Sequence, residues 1–262
     1  MDSNKPILYV PDYVEYAFPF DNIFNVIEGE KEYDLDIAKT ADVVMLTGGA
    51  DINPIYYAEM KHPSTHFYRQ RDQKEKALID QCLERGQGIL GICRGAEWIS
   101  IVGGGKLFQD VSGHQTGHAV QWGNLKTSIH TSSLHHQMCD LRNVPDAKVL
   151  AWARGISGHY DGNSLNPENN SIKGYSLKEP EVFMIPRIRA FAIQGHPEML
   201  TNDATFNVLS RFAVCKFFGQ EPTQFDTDRV NLLLDAERLF NNEANSIEDV
   251  LATITPERNN DQ

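Results

Sequence analysis

The run Ile89-Leu90-Gly91-Ile92-Cys93-Arg94-Gly95-Ala96 constrains this chain more than any other stretch. A short apolar stretch that reads as a strand ends on Gly91-Ile92, and apolar spacing of helical period runs from Ala96 to Val102. Only Cys93 and its neighbours are left to make the turn. A residue at the tip of so tight a strand-to-helix turn takes a strained backbone conformation. Its flanking positions come so close to other backbone that only glycine fits comfortably. The sulfur is pushed outward, and the backbone N–H of Arg94 is directed into the same space. This is an elbow arrangement with cysteine in place of serine, and the helix start favours the thiolate. A tight βα turn around a buried cysteine would use the same five residues.

The rest of the chain repeats the strand-then-helix rhythm. Pro6 to Val10 and Val43-Val44-Met45-Leu46 read as strands, the second ended by Thr47-Gly48-Gly49. Gln73 to Cys82 has apolar residues at helical spacing. Phe191-Ala192-Ile193-Gln194 reads as a later strand, followed by a helix around Thr205 to Phe218. Such alternation predicts an α/β fold, a mostly parallel sheet with helices on both faces. In sheets of this kind chemistry collects at the carboxyl ends of the strands. Those ends carry Gly48-Gly49, Cys93 and His196.

Ser157 to Lys173 is rich in Gly, Asn, Ser and Asp and reads as a surface loop. Residues 221–262 hold ten acidic and three basic residues, which places −7 of the net −12 there. Arg229 to Phe240 keeps helical periodicity, and Ser246-Ile247-Glu248-Asp249 suits a helix start. The predicted organisation is therefore a domain over 1–220 and an acidic helical C-terminal extension over 221–262.

Charge and composition exclude some function classes. With 24 basic against 36 acidic residues, the chain lacks the basic surface of a general nucleic-acid binder. It has no apolar run of the roughly 18–20 residues that a membrane span needs. The N-terminal stretch carries Asp2, Asp12, Glu15 and Asp21 and no basic region before an apolar segment, so no signal peptide and a cytoplasmic location are expected. Cys82, Cys139 and Cys215 read as small buried apolar residues rather than a disulfide framework, and the sequon at Asn169 as a polar loop.

A thiol nucleophile needs a base. Gln194-Gly195-His196-Pro197-Glu198 follows an apolar strand directly. Proline forces His196 into an extended conformation, and in extended chain positions i and i+2 face the same way. Imidazole and carboxylate are thus presented to one side, so that Glu198 can hold one ring nitrogen while the other faces the sulfur. An oxyanion needs two donors. The Arg94 amide supplies one, and the Gly-rich turn Thr47-Gly48-Gly49-Ala50-Asp51 is placed to supply another. The run Gly103-Gly104-Gly105 follows a helix rather than opening one, which argues against a dinucleotide site. His114, His118, His130, His135 and His136 lie close in sequence, but their spacing fits no standard zinc pattern. No metal and no cofactor are expected.

These pieces together resemble the class I glutamine amidotransferase superfamily, and within it the γ-glutamyl-γ-aminobutyrate hydrolase-like peptidases of family C26. The resemblance rests on LTGGADINPIYY at 46–57, RDQKEKALI at 71–79, GICRGAEWISIVGGGKLFQDV at 91–111, SLHHQ at 133–137 and IQGHPE at 193–198. It implies a flavodoxin-like fold and hydrolysis of a γ-glutamyl amide through a thioester. It also implies that Cys93, His196 and Glu198 form a triad, with Gly49 and Arg94 as oxyanion donors through their backbone amides. Ser133, Leu134, His135 and His136 match a segment near the substrate carboxylate. Arg71 and Asp72 match a family motif, and a helix-starting ion pair explains them equally well.

The chain departs from the family at three places. Glu97 stands where the family usually has Gln or another neutral residue that helps hold the substrate's α-amino end. A carboxylate there suits an ammonium group; pointing to solvent or pairing with Arg94 are the alternatives. Gly195 replaces a common aromatic residue, which should open space beside the base. The acidic extension lies outside the family core. The expected partner is a small-molecule γ-glutamyl substrate. The competing functions are a glutaminase component delivering ammonia to a synthetase partner, and a catalytically silent relative.

Overall fold

Apolar residues alternate between two hydrophobic clusters along each central strand, so both faces of the sheet are buried. Leu8 and Val10 of β1 (Ile7–Val10) belong to one cluster and Tyr9 to the other. Val43 and Met45 of β3 (Val43–Leu46) face the first, Val44 and Leu46 the second. Strands buried on both sides read as continuous apolar runs, which is why these were visible in the sequence. The computed structural model describes residues 2–29, 33–164, 178–199 and 204–241, the last helix with side chains through Glu237.

The other elements follow in chain order. β2 (Asn25–Glu28) precedes the single-turn helix α1 (Leu35–Ala38), and α2 (Arg69–Arg85) leads into β4 (Gly88–Ile92) and α3 (Arg94–Val102). Seven short strands come next: β5 (Lys106–Phe108), β6 (Asp110–Val111), β7 (His118–Trp122), β8 (Ile129–Thr131), β9 (Met138–Asp140), β10 (Lys148–Ala153) and β11 (Tyr160–Asp161). The remaining described elements are β12 (Glu179–Ile185), β13 (Ala190–Ile193), α4 (Ala204–Phe217) and α5 (Gln224–Asn241).

The central sheet runs in the order β2-β1-β3-β4-β13-β12-β10-β7-β8. Its β2-β1-β3-β4-β13 part is parallel, and β12, β10, β7 and β8 extend it by antiparallel pairing. Leu78, Ile79 and Cys82 of α2 with Trp98 and Ile99 of α3 cover one face, and Phe206, Leu209 and Phe212 of α4 cover the other. This is the mostly parallel, doubly covered sheet that the alternation predicts and the flavodoxin-like arrangement that the resemblance implies, enlarged by an antiparallel wing. The strands of the wing are short and carry mixed residues, and nothing in their periodicity announces them.

The start of the acidic extension is helical and packs on the body. Val230 and Leu234 of α5 join the same cluster as α4, and Arg211 pairs with Asp226 at 2.5 Å. The Glu237 carboxylate accepts from the backbone N–H groups of Lys126 at 2.9 Å and Thr127 at 2.7 Å. The expected helix start at Ser246 and most of the Ser157–Lys173 loop lie outside the described residues.

Candidate active site

Register alone brings the three sequence signals to one edge of the sheet. Leu46 lies opposite Gly91 and Ile193 opposite Ile92 in parallel pairs, and neighbouring strands are about 4.8 Å apart. The Thr47-Gly48-Gly49 turn, Cys93 and the His196 loop therefore leave the sheet side by side.

Cys93 occupies the elbow with φ 52° and ψ −110°. A non-glycine residue held there costs on the order of 1–3 kcal/mol. The surroundings fix it: its N–H donates to the Ile193 carbonyl at 2.8 Å, and its own carbonyl accepts from Ala96 N–H at 2.8 Å. Both glycines of the motif are needed sterically. A Cβ at Gly91 would collide with the Gly95 carbonyl, and one at Gly95 with the Leu46 carbonyl.

His196 is buried, and its Nδ1 lies 2.7 Å from Glu198 Oε1. A carboxylate only accepts, so this ring nitrogen is the donor and Nε2 is the nitrogen turned away from Glu198. Ser132 Oγ donates to the His196 carbonyl at 2.9 Å. The Tyr16 ring is tilted against the imidazole with centroids 6.0 Å apart. A Cβ at Gly48 would lie 3.3 Å from the imidazole Cε1, so the base ring lies against the glycine turn. Gly195 does not open a space beside the base, as its substitution for an aromatic residue suggested. A Cβ there would run into Thr131 Oγ1, because β8 fills that volume.

The resting sulfur is not a stabilised thiolate. Burial, reinforced by the Glu97 carboxylate, pushes the Cys93 thiol well above the usual range, although the Arg94 amide pulls the other way. The helix-start effect expected from the sequence is outweighed by desolvation. Cys82 and Cys215 are also raised by burial, each to about 12.

Glu97 is 4% exposed. It neither points to solvent nor takes the Arg94 guanidinium for itself. Its Oε1 is 3.4 Å from Gln194 Nε2. Burial, with Asp51 nearby, pushes its carboxyl up to about 8. Asp51 Oδ1 lies 3.0 Å from His136 Nε2, and that bond holds His136 above its ordinary value, at about 9.

Arg94 sends its side chain inward, with Nη2 2.6 Å from Asp72 Oδ1 and Nη1 bonded to Glu75. Trp98 Nε1 donates to Glu75 Oε2 at 2.6 Å. Arg71 Nε donates to Glu75 at 2.9 Å, and Arg71 Nη2 reaches the Gly48 carbonyl at 2.8 Å. Arg71 pairs with Glu75 and Asp12 while Asp72 takes Arg94, so the two residues join one ion-pair cluster that ends on the glycine turn rather than pairing with each other.

The residues matched to the substrate carboxylate divide. His136 stays with Asp51, and Leu134 is 61% exposed. Ser133 Oγ turns to the His114 carbonyl. His135 turns toward Glu181 of β12, where His114 and His118 also converge. Sequence reading missed Tyr16, Asp51 and Glu181 at these places. For Glu181 there was a signal, since Glu179 and Glu181 alternate on a strand otherwise apolar.

In its fold and its cysteine elbow the chain resembles the class I glutamine amidotransferases. Its residues 14–141 match the family model described as Peptidase C26. Protein NtpR of Enterococcus hirae is 28% identical over 67% of this chain and 75% of its own length. A candidate glutamine amidotransferase of Mycobacterium tuberculosis, Rv2859c, is 37% identical over 34% of this chain, a match spanning only 30% of that protein. A candidate GMP synthase component from Thermoplasma acidophilum shares the fold at a TM-score of 0.52 and 15% identity, covering 87% of this chain and 98% of that one. The family is one of cysteine hydrolases and amidotransferases acting on C–N bonds. Among the described residues no helix is long and apolar enough to cross a membrane.

Proposed function

We propose that this chain hydrolyses γ-glutamyl amide bonds, of glutamine or of γ-glutamyl amines, through a thioester on Cys93. The observation that carries this reading is the 2.7 Å pair of His196 Nδ1 and Glu198 Oε1 on the strand end next to a cysteine at φ 52°. Glu198 holds the imidazole so that Nε2 can accept the Cys93 proton as the sulfur attacks the carbonyl carbon. Because the resting thiol is protonated, proton transfer and attack are coupled. The carbonyl oxygen becomes an oxyanion facing the amides of Gly49 and Arg94. Collapse of the intermediate breaks the C–N bond, and His196 gives its proton to the leaving amine. Water, activated by the same imidazole, then cleaves the thioester and releases the γ-carboxylate and the thiol.

The α-amino end of the substrate is assigned to Glu97. Asp51 already holds His136, whereas Glu97 is buried with only the Gln194 amide hydrogen-bonded to it among the described residues, so Glu97 is the carboxyl open to a cation and an α-ammonium provides one. Paired with the ammonium, an ionised Glu97 no longer sets an uncompensated charge against the thiolate. A synthetase partner is not required by this chemistry. Full turnover of the isolated chain favours a free-standing hydrolase, whereas turnover only with a partner favours an ammonia-delivering component.

The deciding experiment is turnover of glutamine and of γ-glutamyl amines by the isolated chain, with a glutamine-shaped electrophile as active-site label. All four thiols are buried, so a general alkylating reagent discriminates poorly and the label must be directed by binding. Label on Cys93 alone, with Cys93→Ala inactive, is expected. Label on Cys82, Cys139 or Cys215 removes the nucleophile assignment.

A further inference from the structure

Three histidines and a glutamate converge behind the loop that carries the base. His114 lies just before β7, His118 opens β7, His135 lies between β8 and β9, and Glu181 is on β12. All four are buried. Glu181 Oε1 is 2.8 Å from His118 Nε2, 3.0 Å from His114 Nδ1 and 3.8 Å from His135 Nε2.

Each ring is anchored on its far side by a group that only accepts. His114 Nε2 is 3.2 Å from Glu179 Oε2, His118 Nδ1 is 3.2 Å from the Thr116 carbonyl, and His135 Nδ1 is 2.7 Å from the Gln137 carbonyl. The nitrogen facing an acceptor carries the hydrogen, and a neutral imidazole has only one. Assigned this way, all three rings aim a lone pair at a carboxylate. Buried acceptors facing acceptors are unfavourable unless something positive lies among them. Protons do this incompletely. An imidazolium at His114 or His118 could donate on both sides, yet His135 Nε2 and Glu181 Oε2 have no hydrogen-bond partner, and His114 Nδ1 is close to Glu181 without hydrogen-bond geometry.

A metal ion would meet the ligand atoms of His114, His118 and Glu181 at once. Bonds of about 2.0–2.1 Å in a tetrahedron place ligand atoms roughly 3.3 Å apart, and Glu181 Oε1 lies 3.0 Å from His114 Nδ1 and 2.8 Å from His118 Nε2. The ligand atoms of His114, His118 and Glu181 all lie within 4.8 Å of one another. Imidazole and carboxylate donors suit zinc among the divalent transition ions. Glu179 stands behind His114 as an orienting carboxylate. It is itself fixed by the N–H groups of Ile156 and Ser157, each at 3.0 Å, and by the Tyr160 hydroxyl. The sequence argued against a metal because histidine spacing alone does not show that a later strand supplies the carboxylate.

We propose that His114, His118 and Glu181 bind one divalent transition-metal ion, zinc by their donor set, with His135 beside the site. The ion fastens the start of β7 to β12. β7 pairs with β8, and β8 is followed by Ser132, whose hydroxyl holds the His196 carbonyl. The metal would thus act on the base by positioning, without touching substrate. The site stands whether or not the hydrolase reading holds.

The test uses untagged full-length protein made in zinc-supplemented medium, desalted and analysed for metal. About one zinc per chain is expected. Protein stripped with a chelator and titrated with cobalt should develop the visible absorption bands of a four-coordinate ion, and added zinc should raise its melting temperature. Glu179→Gln, which removes no ligand, should weaken zinc binding by about 10- to 100-fold. His118→Ala and Glu181→Gln should lose the metal. If those two fail to fold, the cobalt titration of the unaltered chain decides. Folded wild-type protein that carries less than about 0.1 zinc per chain and gives no cobalt bands overturns the proposal. So does stoichiometric metal retained by folded Glu181→Gln and His118→Ala, which would place the ion elsewhere.

Discussion

Arg71 Nη2 donates to the Gly48 carbonyl at 2.8 Å, and a Cβ on Gly49 would collide with the same guanidinium. In a trans peptide the C=O and the following N–H point in opposite directions. With the Gly48 carbonyl turned to Arg71, the Gly49 N–H is turned away from it, in a fixed direction. Arg71 is in turn held by Glu75 at 2.9 Å and by Asp12 at 3.5 Å. An ion pair that looks merely structural therefore sets one of the two assigned oxyanion donors.

The first prediction follows from that chain of contacts. Loss of a whole oxyanion donor costs about 10²–10³ in kcat. Arg71→Lys, which keeps the charge but not the fork that reaches both Glu75 and Gly48, should lower kcat by roughly tenfold or more with KM little changed. Steady-state kinetics on one γ-glutamyl substrate measure it. An unchanged kcat would show that Arg71 does not govern the Gly49 amide.

The second prediction separates base from orienter. His196 moves protons in both half-reactions, and a positioned base contributes typically 10²–10⁴-fold. Glu198 acts only through the ring at 2.7 Å. His196→Ala should therefore lose roughly 10²–10⁴ in kcat/KM, at least as much as Glu198→Ala. An inactive Glu198→Ala enzyme beside a half-active His196→Ala enzyme reverses the roles.

What was legible in the sequence was local. Gly91 and Gly95 announce the elbow because the clashes that demand glycine occur within one strand, one turn and the neighbouring strand. His196 and Glu198 were readable because Pro197 fixes the conformation between them. The Arg71–Gly48 bond and the Glu181 cluster were not readable, since each joins residues from separate elements whose pairing exists only after the sheet forms. The thiol's direction of shift was misjudged for a related reason. A helix start can be seen in sequence, but the burial that outweighs it at Cys93 cannot.

The third prediction concerns stability. Asp72 and Glu75 are fully buried and share the Arg94 guanidinium. Removing one partner from such a set leaves charge uncompensated in a medium that solvates it poorly. Arg94→Ala should cost about 3–5 kcal/mol, whereas the backbone amide of residue 94 is still present. Denaturant unfolding measures the loss. A change under about 1 kcal/mol would mean that Asp72 and Glu75 are satisfied without Arg94.

The fourth prediction is a pH dependence set by Glu97. Burial and Asp51 raise its carboxyl to about 8, so in the free protein it is mostly neutral at pH 7 and mostly charged at pH 8.5. Only the charged form pairs strongly with an α-ammonium. KM for substrates with a free α-amino group should therefore rise as pH falls from 8.5 to 7, by roughly five- to tenfold. Glu97→Gln should abolish this dependence and leave KM high across the whole window. N-acylated substrates carry no cation and should show neither effect. The same substitution removes a carboxylate that holds the Cys93 thiol up, so the Cys93 thiol pKa should fall and alkylation of Cys93 at alkaline pH should become faster in Glu97→Gln. The two readouts move in opposite senses, weaker binding and a readier sulfur, and a general loosening of the site does not produce that combination. Identical KM–pH curves for wild type and Glu97→Gln would remove Glu97 from the substrate's binding site.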